Sequence, residues 1–290
     1  MPRLTVIMPA RNAEKTILTA LNSCLRSMPR DSELVVWDDG STDGTRAVVQ
    51  AHPDPRVRSF LSEIGVGGGQ ARIELLDATD SEFVACMDAD DIAVPGRFYR
   101  QVQRLRDDVD FVFGSTVRFS ESPMRIRPTL TPGLNAPEVR ASMLVGNFLP
   151  HPAMFGRRAA ITAVGGYRAL ERGQDYDLWL RALTGDKRIV LDARPAVFYR
   201  VSAGQVSRAP EYIATVKNDA SLQASYAAFV EHSFPRVSST LSDYRAGATS
   251  AGAYENAVVG ALGVARPRAR RYLTRRISRT GTYATFRGEP

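Results

Sequence analysis

An α/β fold is predicted, with a mostly parallel twisted sheet flanked by helices and a C-terminal helical extension. Three features of the 290-residue sequence predict it. Strand-like apolar runs alternate with segments of helical period through the first half. Three of those runs end in polar or acidic clusters. Strand signals stop near residue 210, which divides the chain into a sheet domain at 1–209 and a helical segment with a basic tail at 210–290.

The first strand is 4–8. Ile17, Leu21, Cys24, Leu25 and Met28 then recur at helical spacing and form one apolar face. A second strand at 34–37 runs into an Asp/Gly/Ser/Thr turn, where Ser41 or Thr42 can cap a helix carrying Ala47, Val48 and Val49. Residues 57–61 read as a third strand, followed by a glycine-rich loop and a helix through Ile73, Leu75 and Leu76. The fourth, 83–87, ends at Asp88, Asp90 and Asp91. Pro95 suits the first turn of a helix marked by Phe98, Val102 and Leu105, and 111–113 is another strand. Residues 120–135 hold three prolines and read as a long connection. A short strand at 153–155, a helix at 176–183 and two strands at 189–191 and 197–199 complete the sheet.

At 44% hydrophobic and 24% charged, the composition excludes disorder for most of the chain. The net charge of +7 belongs to the tail, since eight arginines from Arg266 onward face one acid, Glu289. The rest is neutral, so no nucleic-acid partner is expected. The tail reads equally as a peripheral contact with an anionic membrane face and as a solvated helix. Cys24 and Cys86 sit in apolar runs, as small buried hydrophobes do in a reducing compartment. With neither a signal-peptide pattern nor a membrane-spanning run, a cytoplasmic protein is expected, peripheral at the inner membrane face if the tail binds there.

In an open α/β sheet, ligands bind beyond the carboxyl ends of the strands. Polar clusters fall at that edge around Pro9 and Arg11, at Asp38 and Asp39, and at Asp88 to Asp91. Three carboxylates in four positions repel and raise one another's pKa unless a cation lies between them. Asp39 could accept the imide N–H of a nucleobase and Asp88 could bind a ribose hydroxyl. Asp90 could hold a hard cation that shares diphosphate oxygens.

Five segments then stand in order: VIMPARNAE at 6–14, WDDGSTDGT at 37–45, GQAR at 69–72, MDADD at 87–91 and QDYDLWLR at 174–181. With them, residues 4–208 resemble a family 2 glycosyltransferase of the GT-A fold, the nucleotide-diphospho-sugar transferase fold. The resemblance implies an inverting enzyme with a DxD-type site. Pro9, Arg11, Asp39, Arg72 and Asp88 would bind nucleotide, Asp90 would hold Mn²⁺ or Mg²⁺, and Asp175 would take the proton of an acceptor hydroxyl. The donor would be a nucleotide sugar, UDP-linked by expectation. The acceptor would be a lipid-linked glycan, a polysaccharide or a protein, in cell-surface glycan or glycoconjugate synthesis. Gln174 stands where a Glu commonly precedes the base, and Ser202 replaces a frequent histidine.

His151, Asp177, Trp179 and Arg200 are further candidates for acceptor or diphosphate contacts. Each candidate has a plainer alternative. Asp38 to Asp43 suits a helix-capping turn, Asp88 to Asp91 a solvated strand end and Asp175 an N-terminal helix acid. His151 suits a structural hydrogen bond, and Trp179 a core position. The glycine run 65–70 lacks the last glycine of a dinucleotide fingerprint and follows the third strand, so a turn that lets backbone approach the nucleotide is expected. Two other functions remain open: a nucleotidyltransferase on a similar sheet, and a nucleotide- or glycan-binding pseudoenzyme, the latter motivated by Gln174 and Ser202.

Overall fold

The computed structural model describes residues 2–105, 108–121, 124–129, 131–202 and 211–280. Strands β1 (Leu4–Ala10), β2 (Ser32–Asp39), β3 (Val57–Ser62) and β4 (Phe83–Cys86) pair in parallel in the order β3-β2-β1-β4. Beyond β4 the sheet becomes mixed. The strand β8 (Met154–Arg157) runs antiparallel to both β4 and β6 (Phe111–Glu121), and β6 pairs in parallel with β9 (Ile189–Arg200). A two-residue strand, β5 (Ile92–Ala93), closes that edge against β9.

Alternation of side chains on each strand feeds two cores, one per face of the sheet. Val6, Met8, Leu34, Val36, Phe83 and Ala85 face one core, which is covered by α1 (Ile17–Ser27), α2 (Thr45–Gln50) and α4 (Arg97–Arg104). Ile7, Val35, Val84, Cys86, Phe111 and Phe113 face the other, with α3 (Gly68–Asp77) and α7 (Gln174–Thr184). Burial on both faces explains why these strands read as unbroken apolar runs.

Three expectations are corrected. The 120–135 connection is partly ordered as β7 (Met124–Pro128), which forms a hairpin with β6. The two strands at 189–191 and 197–199 are one, β9, whose pairing with β6 shifts register around Ser115 where Pro195 enters. Neither Ser41 nor Thr42 caps α2. The N-cap is Gly44, and Asp43 just before it accepts from Thr45 N–H at 3.0 Å, while Ser41 and Thr42 bind the backbone and side chain of Asn12. The turn thus laces the β1–α1 loop to the β2–α2 loop.

Among the described residues the C-terminal segment is helical and packs on the sheet domain. After α5 (Ala136–Ser142), α6 (Arg158–Thr162) and α7, the helices α8 (Tyr212–Asn218), α9 (Ala220–Ser233), α10 (Pro235–Arg245), α11 (Ala251–Ala261) and α12 (Pro267–Thr280) follow. Leu222, Phe229, Leu241, Val258 and Leu273 join the core that already holds α7. Fully buried Glu138 ties the tail down: it closes the capping box of α5 with Asn135 and accepts three hydrogen bonds from Arg266. Burial pushes the Glu138 carboxyl up, and the Arg266 and Asn135 hydrogen bonds outweigh it, leaving the group below its ordinary value. The proposed boundary at residue 209 lies outside the described residues, as do 203–207 of the segment containing Ser202. Among the described residues no helix is long and apolar enough to cross a membrane.

Candidate active site

The order β3-β2-β1-β4 reverses direction between β1 and β4, and the crevice at their carboxyl ends opens into a cavity of about 1120 Å³. It is lined from the end of β1 by Pro9, from the loop after it by Arg11, from α3 by Gly68 and Arg72, and beyond β4 by Asp88 and Asp90. Asn147, His151, Gln174, Asp175, Arg200, Ser202, Tyr212 and Tyr272 also line it.

Arg72 is buried on the inner face of α3. Its guanidinium donates to Gly68 O at 3.0 Å and to Asp88 Oδ1 at 3.2 Å. Burial pushes the Asp88 carboxyl up, against the pull of Arg72. Burial and the charge of Asp88 raise Asp90 to about 6. Asp91 lies well above the ordinary range through burial and both neighbouring acids. One oxygen accepts Arg200 N–H at 2.8 Å, and the other is buried without a hydrogen bond among the described residues. Arg200 reaches back with Nε to Asp90 O at 2.7 Å, its guanidinium over the Phe119 ring, so it fastens the end of β9 to the acidic turn.

The acids fit a hard divalent cation. Asp90 lines the cavity and forms no ion pair among the described residues, and the mutual repulsion of the three carboxylates is the cost a cation would offset. Among the described residues no three or more His, Cys, Asp or Glu side chains are arranged as a ready cage. Substrate oxygens and water would have to complete the shell.

Asp175 sits in the first turn of α7, which begins after Gly173 at φ +75°. Asn147 Nδ2 donates to its Oδ2 at 2.7 Å. Burial raises the Asp175 carboxyl, while the Tyr176 N–H, the Arg72 charge and Asn147 hold it down. The result is a carboxylate with enhanced basicity, oriented by a neighbour and facing the cavity.

Three expected contacts are not assembled here. Both oxygens of Asp39 accept backbone N–H groups, Val66 at 2.6 Å and Gly67 at 3.0 Å, and Asp39 does not line the cavity. The glycine-rich loop folds back over Gly40, where Gly65 N lies 2.7 Å from the position of an added Cβ, and the two N–H bonds leave a lone pair on each Asp39 oxygen. Asp177 is fully buried on the opposite side of α7 from the cavity. There it accepts from Arg168 at 3.2 Å, Arg181 at 2.9 Å and Ser225 at 2.6 Å. Trp179 is also fully buried, edge-on to Phe111, Phe113 and His151, and is core.

Some cavity residues were not among the candidates read from the sequence. Asn147 could have been found, because it lies in the same short loop as His151. Tyr212 and Tyr272 reach the cavity from α8 and α12, helices with no motif. Arg97 is buried completely on α4, and no ion pair is formed with it among the described residues. It donates to Gln101 Oε1, Cys86 O, Pro152 O and Met154 O at 2.8–3.4 Å, clamping the end of β4 to the 3-10 turn His151–Ala153. Burial brings its guanidinium down to about 10.

The sequence profile of Glycosyl transferase family 2 matches residues 5–165. The chain is 32% identical to the succinoglycan biosynthesis protein ExoO of Rhizobium meliloti, over 72% of this chain and 63% of that protein. It is 33% identical to the UDP-Glc:alpha-D-GlcNAc-diphosphoundecaprenol beta-1,3-glucosyltransferase WfgD of Escherichia coli, over 39% of this chain and 45% of that one. It therefore spans less than two thirds of the length of either relative. Among solved structures, TarS 1-349 of S. aureus in complex with UDP-GlcNAc superimposes with a TM-score of 0.61 at 18% identity, covering 99% of this chain and 90% of that one. That likeness is one of fold.

Proposed function

The chain belongs to glycosyl transferase family 2, and on that premise we propose that it moves a sugar from a UDP-sugar donor to a hydroxyl of a growing glycan, with inversion at the anomeric carbon. The observation that carries this reading is Asp175, a carboxylate of raised pKa held by Asn147 in the same cavity as Arg72, Asp88 and Asp90. Pro9, Arg11 and Arg72 lie along the nucleotide, and Asp88 takes a ribose hydroxyl. Asn147 holds Asp175 Oδ2, so the carboxylate is aimed when it accepts the acceptor's proton. The acceptor oxygen attacks the anomeric carbon from the face opposite the diphosphate. Asp90 would hold Mn²⁺ or Mg²⁺, and the cation, when bound, neutralises charge on the departing diphosphate as a Lewis acid.

Asp90→Ala is expected to abolish the metal-dependent part of UDP binding in calorimetry with Mn²⁺, with folding unchanged. UDP binding to the variant that still responds to Mn²⁺ as the wild type does would refute the assignment.

The acceptor side is proposed from α12. Arg268, Arg270, Arg271 and Arg275 are exposed, Ala269 and Leu273 are buried, and Tyr272 of the same helix lines the cavity. We infer that the arginines rest on an anionic leaflet, each contributing about 1 kcal/mol near the surface, with a lipid-linked acceptor entering alongside. The diphosphoundecaprenol named for WfgD supports this. The protein is expected to cosediment with phosphatidylglycerol vesicles, and a variant with these four arginines replaced by Gln is not. Equal binding to neutral vesicles would refute it.

A further inference from the structure

Beneath the cavity, Cys86, His151 and Tyr167 form a closed triangle. His151 Nε2 is 2.7 Å from Tyr167 Oη and 3.5 Å from Cys86 Sγ, and the sulfur is 3.4 Å from Tyr167 Oη. Cys86 is 1%, Tyr167 4% and His151 8% exposed, so water does not complete these bonds. The imidazole is fixed further by an edge-on contact with Trp179, the ring centroids 5.9 Å apart. Nε2 is the ring nitrogen turned into the triangle. Nδ1 has no hydrogen bond among the described residues, and His151 lines the cavity.

The protons can be counted. Burial holds the thiol up at about 11 and the phenol well above its ordinary value, while burial and the Arg72 charge hold the imidazole well below its own. All three groups are therefore neutral and carry one proton each on S, O and one ring nitrogen. In one arrangement S–H donates to Tyr167 Oη, the phenol O–H donates to Nε2, and the ring proton is on Nδ1. With the ring proton on Nε2 instead, Nε2–H donates to Oη, the phenol donates to sulfur, and the S–H has no acceptor in the triangle. The first pairs the strongest donor with the strongest acceptor and uses sulfur as a donor. The second spends the phenol proton on a weak acceptor. The 2.7 Å Oη···Nε2 separation suits the first.

We propose that Tyr167 and Cys86 hold His151 in the Nδ1–H tautomer, so that the cavity offers a neutral N–H donor to a hydroxyl oxygen of the transferred sugar. The inference rests on the donor reading above. A neutral donor does not balance a diphosphate, whose charge falls to the arginines around it, whereas it matches an uncharged sugar oxygen without a desolvated charge left over. His151 is the contact, and Tyr167 and Cys86 are positioning residues.

Long-range ¹H–¹⁵N NMR of the full chain reads the tautomer directly, with the His151 signals identified by their absence in His151→Asn. The Nδ1–H form is expected, and Tyr167→Phe is expected to shift it to Nε2–H. Asn places a donor where Nδ1–H was and Gln places one where Nε2 was. Among UDP-glucose, UDP-galactose and UDP-GlcNAc, the tightest wild-type ligand should therefore bind His151→Asn nearly unchanged and His151→Gln about tenfold more weakly, with UDP itself unaffected in both. An Nε2–H tautomer in the wild type, or equal losses for UDP and UDP-sugar in His151→Gln, overturns the proposal. If the wild type binds no uridine nucleotide, the donor reading fails instead, and the sugar contact fails with it whatever the tautomer shows.

Discussion

Asp175→Asn is expected to lower the rate of sugar transfer by about 10²–10⁴-fold, the usual worth of a positioned general base, while UDP binding and melting temperature stay at wild-type values. The amide is isosteric and can keep a hydrogen bond with Asn147, so the loss would be one of basicity alone. The pH dependence adds a sign. The anion is the working form, and burial raises its pKa, so transfer falls as pH drops through that raised value. Asn147 stabilises the anion by donating to Oδ2. Asn147→Ala should therefore raise the pKa further and move the acid limb of the kcat profile to higher pH. A profile that moves the other way, or Asp175→Asn turning over normally, would remove Asp175 from the chemistry.

What the sequence made legible follows from the range over which each interaction acts. The parallel strands were readable because burial on both faces leaves runs such as 34–37 and 83–86 with no polar interruption. The acidic turn was readable for a similar reason: the three carboxylates are neighbours in sequence, and burial raises all of them, with neighbouring acids adding to the shifts at Asp90 and Asp91. The partners of Asp39 are not readable in this way, because Val66 and Gly67 are backbone amides brought by a loop. A carboxylate shows in a sequence, but the N–H group that will occupy it does not. Strand β9 was split in two because Pro195 interrupts the apolar pattern, and only the register shift opposite it accommodates the proline.

Arg97 marks the limit most clearly. Nothing in its neighbourhood distinguishes it from a surface arginine of an amphipathic helix. Its function comes from carbonyls at Cys86, Pro152 and Met154, which converge only once β4 and β8 are paired. The same clamp fixes the height of His151 relative to the acidic turn. One charge without an ion-pair partner among the described residues thus joins two walls of the cavity, and the carbonyls that satisfy it are invisible to any reading of side-chain types.

Asp177→Asn is expected to give the opposite outcome from its neighbour two positions earlier: a large loss of stability, with the chemistry at Asp175 impaired only as far as the fold is lost. Asp177 is fully buried, and its two oxygens take hydrogen bonds from Arg168, Arg181 and Ser225. Arg181 also binds Gly166 O at 2.7 Å, so the carboxylate is the hub through which α7, the 164–168 loop and α9 are joined. An amide would turn N–H donors toward guanidinium groups and leave Arg181, only 12% exposed, without its counter-charge. Removing one partner of a buried pair costs about 3–5 kcal/mol, and exposure of Arg168 at 45% places this case toward the lower end. At that cost the melting temperature should fall on the order of 10 °C, measured by calorimetry. Successive acids on one helix turn point to different sides, so the first carboxylate faces the cavity and the next faces two arginines. A variant of Asp177 that melts with the wild type but has lost transfer would reverse that division of labour.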